Sequence, residues 1–157
     1  MAKFILVDTS VISRLTKKSR DATAYNSWRG NAKLAVNDQV RGELLSAGYT
    51  GQRLRRLRDL LDACLKLPTS ESTHVAYARV ATIRAELRRL HHPGEGAQDN
   101  DVWIVASAME YEVPLFSHDA QQVQLGRLAG VKVMTNLNDL RDMNPDLTEE
   151  PEDEPQS

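Results

Sequence analysis

Four consecutive apolar residues, Phe4–Ile5–Leu6–Val7, run without a break into Asp8. A run that is apolar on both faces must be covered on both faces, which describes a central strand of a sheet held between helical layers. The rest of the chain keeps this alternation. Val11, Ile12 and Leu15 predict a first helix, Asp21 to Arg29 a second short helical piece anchored by Trp28, and Leu34–Ala35–Val36 a weaker strand. Val40, Glu43, Leu44 and Ala47 then fall on a helix that Gly48 ends. Leu54, Leu57, Leu61 and Leu65 recur at helical spacing, and Leu65 to Leu67 reads as a short strand closed by Pro68. Ala76, Val80, Ile83, Leu87 and Leu90 mark the clearest helix, broken at His91–His92–Pro93–Gly94. Asp99–Asn100–Asp101 opens another helix through Met109, with Asp99 as its N-cap. Val113 to Phe116 and Val131 to Met134 complete the strands. Strands alternating with helices predict an α/β fold with a central parallel sheet.

The 157 residues suit one domain large enough to bury a core without cross-links. The single cysteine, Cys64, excludes an internal disulfide and reads as a small buried hydrophobe. No apolar run approaches the ~20 residues of a membrane span, and Met1–Ala2–Lys3 leads into a strand rather than a signal peptide, so the expected location is cytoplasmic. The net charge of −2 hides an asymmetry. Six acids and no base lie between Asp146 and the end, so residues 1–145 hold 16 acids against 20 Lys and Arg and carry about +4. The expected organisation is one domain over residues 1–142 and an acidic, disordered tail over 143–157. A mildly basic body is compatible with a polyanionic partner.

Asp8 and Asp119 each follow an apolar strand, and parallel strands deliver their carboxyl ends to one edge, where open α/β sheets bind ligands. Asp101 at a helix start and Glu43 on the helix after the second strand are placed to join them. Carboxylates crowded into one pocket repel one another unless a cation neutralises them, and hard oxygen donors select Mg²⁺ or Mn²⁺. Such an ion lowers the pKa of a bound water and stabilises charge on a leaving phosphodiester oxygen; one ion or two fit this description. Each acid also has a plainer explanation. Asp8 and Asp99 are ordinary cap or turn residues, Glu43 an ordinary solvated helix acid, and Ser10 a helix cap or a partner that orients Asp8.

Asp8–Thr9–Ser10–Val11–Ile12 after its strand resembles the opening of a PIN-domain nuclease. Asn100–Asp101–Val102–Trp103–Ile104–Val105–Ala106–Ser107–Ala108 is similar to the third-acid helix of VapC toxins, the PIN-domain ribonucleases of type II toxin–antitoxin pairs. Val113–Pro114–Leu115–Phe116–Ser117–His118–Asp119 resembles the strand and fourth acid, Gly130–Val131–Lys132–Val133–Met134 the terminal strand, and Glu43–Leu44 the second motif. The resemblance spans roughly residues 3–135, in the family's order. It departs at Asn37–Asp38, normally more apolar, and after Asp119, where the customary aromatic is missing from Ala120–Gln121–Gln122–Val123. The resemblance implies a Rossmann-like α/β/α sandwich, with Asp8 and Asp101 as principal Mg²⁺ ligands and Glu43 and Asp119 completing the site. It implies a metal-dependent endoribonuclease acting on RNA, usually a homodimer, held by a small antitoxin whose C-terminal segment covers the active site.

Arg53, Arg55, Arg56 and Arg58, or Arg84, Arg88 and Arg89, are placed either to contact RNA phosphates or to form solvated helix faces. His91 and His92 lack the spaced partners of a zinc site, and His118 sits beside Asp119 without a defined role. Three other functions compete. A non-catalytic, RNA-binding or scaffold PIN domain would keep the fold but lose acids, and all four are present here. An aspartyl phosphatase needs a second Asp two residues after the first, where Ser10 stands. A phospho-acceptor domain needs an acidic pair at the first strand end, which Asp8 lacks.

Overall fold

The computed structural model describes residues 4–17, 32–136 and 139. The expected helix over Asp21–Arg29, with Trp28, and the expected tail over 143–157 lie outside the described residues. Five strands form one parallel sheet: β1 (Phe4–Val7), β2 (Lys33–Asn37), β3 (Leu65–Leu67), β4 (Leu115–Phe116) and β5 (Val133–Met134), in the order β3-β2-β1-β4-β5. The pairings Leu6 with Ala35 and Leu6 with Leu115 put β1 between β2 and β4. Ile5, Leu6 and Val7 are buried, as a strand covered on both faces requires. Each such side chain contributes ~1.5–3 kcal/mol by leaving water.

The connecting helices are α1 (Thr9–Leu15), α2 (Asp38–Leu45), α3 (Gly51–Ala63), α4 (Glu71–Leu90), α5 (Asp99–Tyr111) and α6 (Ala120–Leu128). Asn37 supplies the N-cap of α2 through its side-chain oxygen and the Val40 N–H, 2.9 Å away. The polar pair Asn37–Asp38 thus marks the turn from strand to helix. α2 ends at Leu45, earlier than the sequence pattern suggests, and Ala47 falls in the turn beyond it. Cys64 caps the C-terminus of α3 and is buried. α4 starts at a capping box between Ser70 and Thr73 and stops where His91 turns left-handed at φ 53°.

Two strands are shorter than their apolar runs. Glu112 and Gly130 take positive φ just after α5 and α6, and the next N–H groups, of Val113 and Val131, donate to Ala108 and Gly126 carbonyls. Those bonds close Schellman-type helix ends, so Val113 and Val131 finish helices rather than begin strands. Their side chains still pack against the core.

The strand order reverses its direction of winding between β1 and β4. Doubly wound sheets open a crevice at that point, outside the carboxyl ends of the two strands. Asp8 follows β1 there and Ser117 follows β4.

Candidate active site

Asp8 is the N-cap of α1. Its Oδ1 accepts from the Val11 N–H (3.1 Å) and the Ser10 hydroxyl (2.7 Å). The plain reading of Asp8 as a cap is correct, and it does not compete with the other one. Oδ2 points to β4, where Ser117 donates its hydroxyl at 2.7 Å. Asp8 and Ser117 are both buried, so these donors replace the water a carboxylate loses on burial.

Ser117 also reaches the other strand-end acid. Its oxygen accepts from the Asp119 N–H at 3.0 Å. Asp119 caps α6, taking the Gln121 and Gln122 N–H groups on Oδ1 at 2.9 and 3.1 Å. Asp101 sits one turn into α5, and its Oδ2 accepts from the Gln98 N–H at 2.7 Å. The N-cap of α5 is therefore Gln98; Asp99, expected in that role, is the first helical residue and pairs with Arg84 at 2.8 Å. Asp101 Oδ1 takes the Gln122 amide N–H at 2.9 Å. Gln122 stands where the customary aromatic is missing, and it ties the fourth-acid helix to the third acid.

All four acids line one cavity of about 490 Å³, together with Thr9, Ser10, Ser13, Tyr49, Asn100 and Gln122. Glu43 enters from α2 as an exposed side chain, and the Asn100 amide lies 3.4 Å from its Oε2. Burial pushes the Asp101 carboxyl above the ordinary carboxylate range, and the charges of Asp119 and Asp8 push the same way. The hydrogen bonds from Gln98 and Gln122 pull in the opposite direction.

Among the described residues, no three His, Cys, Asp or Glu side chains stand close enough together to grip a bare ion. Mg²⁺ makes no such demand: it keeps several waters and takes one or two carboxylates directly. The cavity offers only hard oxygen and amide groups, with no histidine or cysteine in its wall. That donor set fits a hydrated Mg²⁺ or Mn²⁺, and Asp8, Glu43, Asp101 and Asp119 are the residues that could hold it.

Ser117 and Gln122 are the contributors that sequence reasoning did not single out. Each has a signal in hindsight, one two residues before Asp119 and the other three after it. The two arginine sets part company. Arg84 and Arg88 hold the loop before α5, through Asp99, the Glu95 carbonyl and the Ala97 carbonyl, and Arg89 pairs with Glu86. Arg53 and Arg56 of α3 instead reach Ser13 on α1 and Thr16, its C-cap. His118 packs edge-on against Phe116 and is not part of the cavity wall. His91 lies 3.5 Å from Glu95 in the exposed loop after α4.

A family model described as PIN domain matches residues 5–128. No curated protein sequence matches the chain significantly. Among solved structures, a chain of VapBC2 from Rickettsia felis, bound to a DNA fragment from its promoter, has a TM-score of 0.66 and 17% identity. That match covers 83% of this chain and 97% of the other. VapBC-1 from nontypeable Haemophilus influenzae gives a TM-score of 0.64 at 21% identity, over 83% and 96%. VapBC-5 from Mycobacterium tuberculosis, of the VapBC family of toxin-antitoxin systems, gives 0.57 at 23%, over 85% and 98%. These likenesses are of fold: a parallel sheet between helices, as the sequence pattern predicts.

Proposed function

The chain belongs to the PIN-domain family, and we propose that it is a Mg²⁺- or Mn²⁺-dependent endoribonuclease, the toxin of a type II toxin–antitoxin pair. The observation that carries this reading is the meeting of Asp8, Glu43, Asp101 and Asp119 around one cavity at the reversal point of the sheet. A bound divalent ion would supply an acidified water and charge stabilisation at the leaving oxygen. The chain's own residues do the rest. Asp8, fixed by Ser10, Val11 and Ser117, and Asp101, fixed by Gln98 and Gln122, would hold the ion through their remaining lone pairs. Asp119 and Glu43 accept hydrogen bonds from water at the rim and hold it toward the phosphodiester. The Asp101 carboxyl is raised by burial first and by the charges of Asp119 and Asp8 after it, and a cation beside it would offset both.

The toxin assignment rests on the resemblance to VapC proteins, with support from the likeness to chains of VapBC assemblies. It carries with it a homodimer, a small antitoxin whose C-terminal segment covers the cavity, and a cytoplasmic setting. Among the described residues, no helix is long and apolar enough to cross a membrane. The retained acids favour the enzyme over a non-catalytic PIN scaffold.

The test is cleavage of a folded RNA transcript by purified protein in Mg²⁺ or Mn²⁺. Asp8→Asn and Asp101→Asn are expected to reduce the rate at least a hundredfold, and Glu43→Gln or Asp119→Asn less severely. Full activity in excess chelator, or in either of the first two variants, refutes the assignment.

A further inference from the structure

A cavity walled by four carboxylates repels the polyanion it is meant to receive, so a nuclease of this design needs positive charge at the rim. Arg53 supplies it. Its guanidinium lies 4.3 Å above the Tyr49 ring centroid, its Nη2 donates to Ser13 Oγ at 3.1 Å, and its Nε donates to Thr16 Oγ1 at 3.4 Å. Ser13 and Tyr49 are themselves part of the cavity wall, and the Tyr49 hydroxyl lies 3.1 Å from the same Ser13 oxygen.

Every one of these partners is neutral. Among the described residues Arg53 has no carboxylate within ion-pair distance, in contrast to Arg84 and Arg89. Two of its five N–H donors are used; both hydrogens on Nη1 and one on Nη2 remain. An aromatic face and two hydroxyls orient a guanidinium without cancelling its charge. This is a half-buried cation locked in place with an unspent fork, held against two residues, Ser13 and Tyr49, of the cavity wall. Ser13 lies five residues beyond Asp8 along α1, about 7.5 Å of helix rise. That offset suits a phosphate flanking the bond under attack rather than the one being cleaved.

Resting on the nuclease reading above, we propose that Arg53, braced by Tyr49, Ser13 and Thr16, binds a flanking phosphate of single-stranded RNA and sets its register across the acids. Arg53 is a substrate-binding residue that acts before the chemical step.

The experiment measures binding of a fluorescently labelled oligoribonucleotide to full-length protein in the Asp101→Asn background with Mg²⁺, across a salt series, and steady-state cleavage in the otherwise unaltered chain. Arg53→Gln is expected to weaken binding about tenfold. It should also flatten the slope of log K against log salt by about 0.7, the loss of one phosphate contact to a single strand. KM rises by a similar factor while kcat stays within about twofold. Arg127→Gln removes the same charge from an exposed site in the last turn of α6, and leaves all three quantities unchanged. Arg53→Lys, the variant to use if glutamine compromises folding, keeps the salt slope and recovers part of the affinity.

An unchanged salt slope and KM in Arg53→Gln overturns the proposal, as does a fall in kcat at constant KM, which would make Arg53 a brace for α1 only. A lysine variant as weak as the glutamine one overturns it as well. Wild-type protein that cleaves RNA while Arg53→Gln behaves normally sinks this inference alone. Wild-type protein that binds RNA with an Arg53-dependent slope but never cleaves it sinks the nuclease reading and leaves Arg53 as a phosphate contact.

Discussion

Ser117 donates its hydroxyl to Asp8 Oδ2 at 2.7 Å, joining residues 109 positions apart in the chain. The same oxygen accepts the Asp119 N–H, so one buried side chain sets the spacing between the two strand-end acids. Its position is a product of topology: β1 and β4 are neighbours only because the winding of the sheet reverses between them.

Removing that hydroxyl tests the arrangement. Ser117→Ala leaves the Asp119 N–H without its acceptor and Asp8 Oδ2 without its buried donor. The expected loss is about 1–3 kcal/mol of stability, read by urea denaturation. RNA cleavage should fall about tenfold or more because Asp8 is freed to turn. A variant with wild-type stability and rate would show that the bridge is idle.

Asp101 should weaken the fold it serves. Its carboxyl is raised by burial first and by Asp119 and Asp8 after that. An acid whose native pKa lies above its unfolded value binds its proton more tightly when folded. Its contribution therefore becomes unfavourable as pH climbs from the ordinary carboxylate value of about 4 through the raised native one. In chelator at neutral pH, Asp101→Asn is expected to melt about 1–3 °C above wild type. The gap should close below about pH 4, where both side chains are neutral. A variant that melts lower at neutral pH contradicts this.

Gly126, outside the cavity wall, packs α6 against β5. A Cβ added there would stand 2.8 Å from Val133 Cγ2, with Val105 and Leu115 close behind. Gly126→Ala is expected to cost about 1–3 kcal/mol through overpacking, while the cleavage rate of the protein that remains folded is unaltered. Thermal melting and a rate normalised to folded protein check the two halves separately.

What was legible in the sequence follows from range. The apolar run before Asp8 and the four-and-three spacing of α4 are local signals, and both elements stand where those signals put them. The strand-end positions of Asp8 and Asp119 follow from them, because a parallel sheet delivers its carboxyl ends to one edge. The sequence points to Asp99 as the cap because Gln98 is rare in that position, whereas in the structure Asp101 answers the Gln98 N–H from inside the helix. Val113 and Val131 look like strand residues by composition, but their N–H groups belong to helix ends. Ser117 and Gln122 were hidden for another reason. Their partners come from other elements, so their roles exist only once the sheet is wound. The division between Arg53 and Arg84 has the same origin: similar helical arginines meet hydroxyls in one case and an aspartate in the other.

Direct titration with Mn²⁺, followed by calorimetry or by the paramagnetic signal of free ion, addresses the acidic cavity without recourse to any RNA. Wild-type protein is expected to bind the ion, with Asp8→Asn and Asp101→Asn each at least tenfold weaker and the double variant silent. A folded wild type that takes up no divalent ion, or variants that bind as tightly as wild type, would contradict the account at its root.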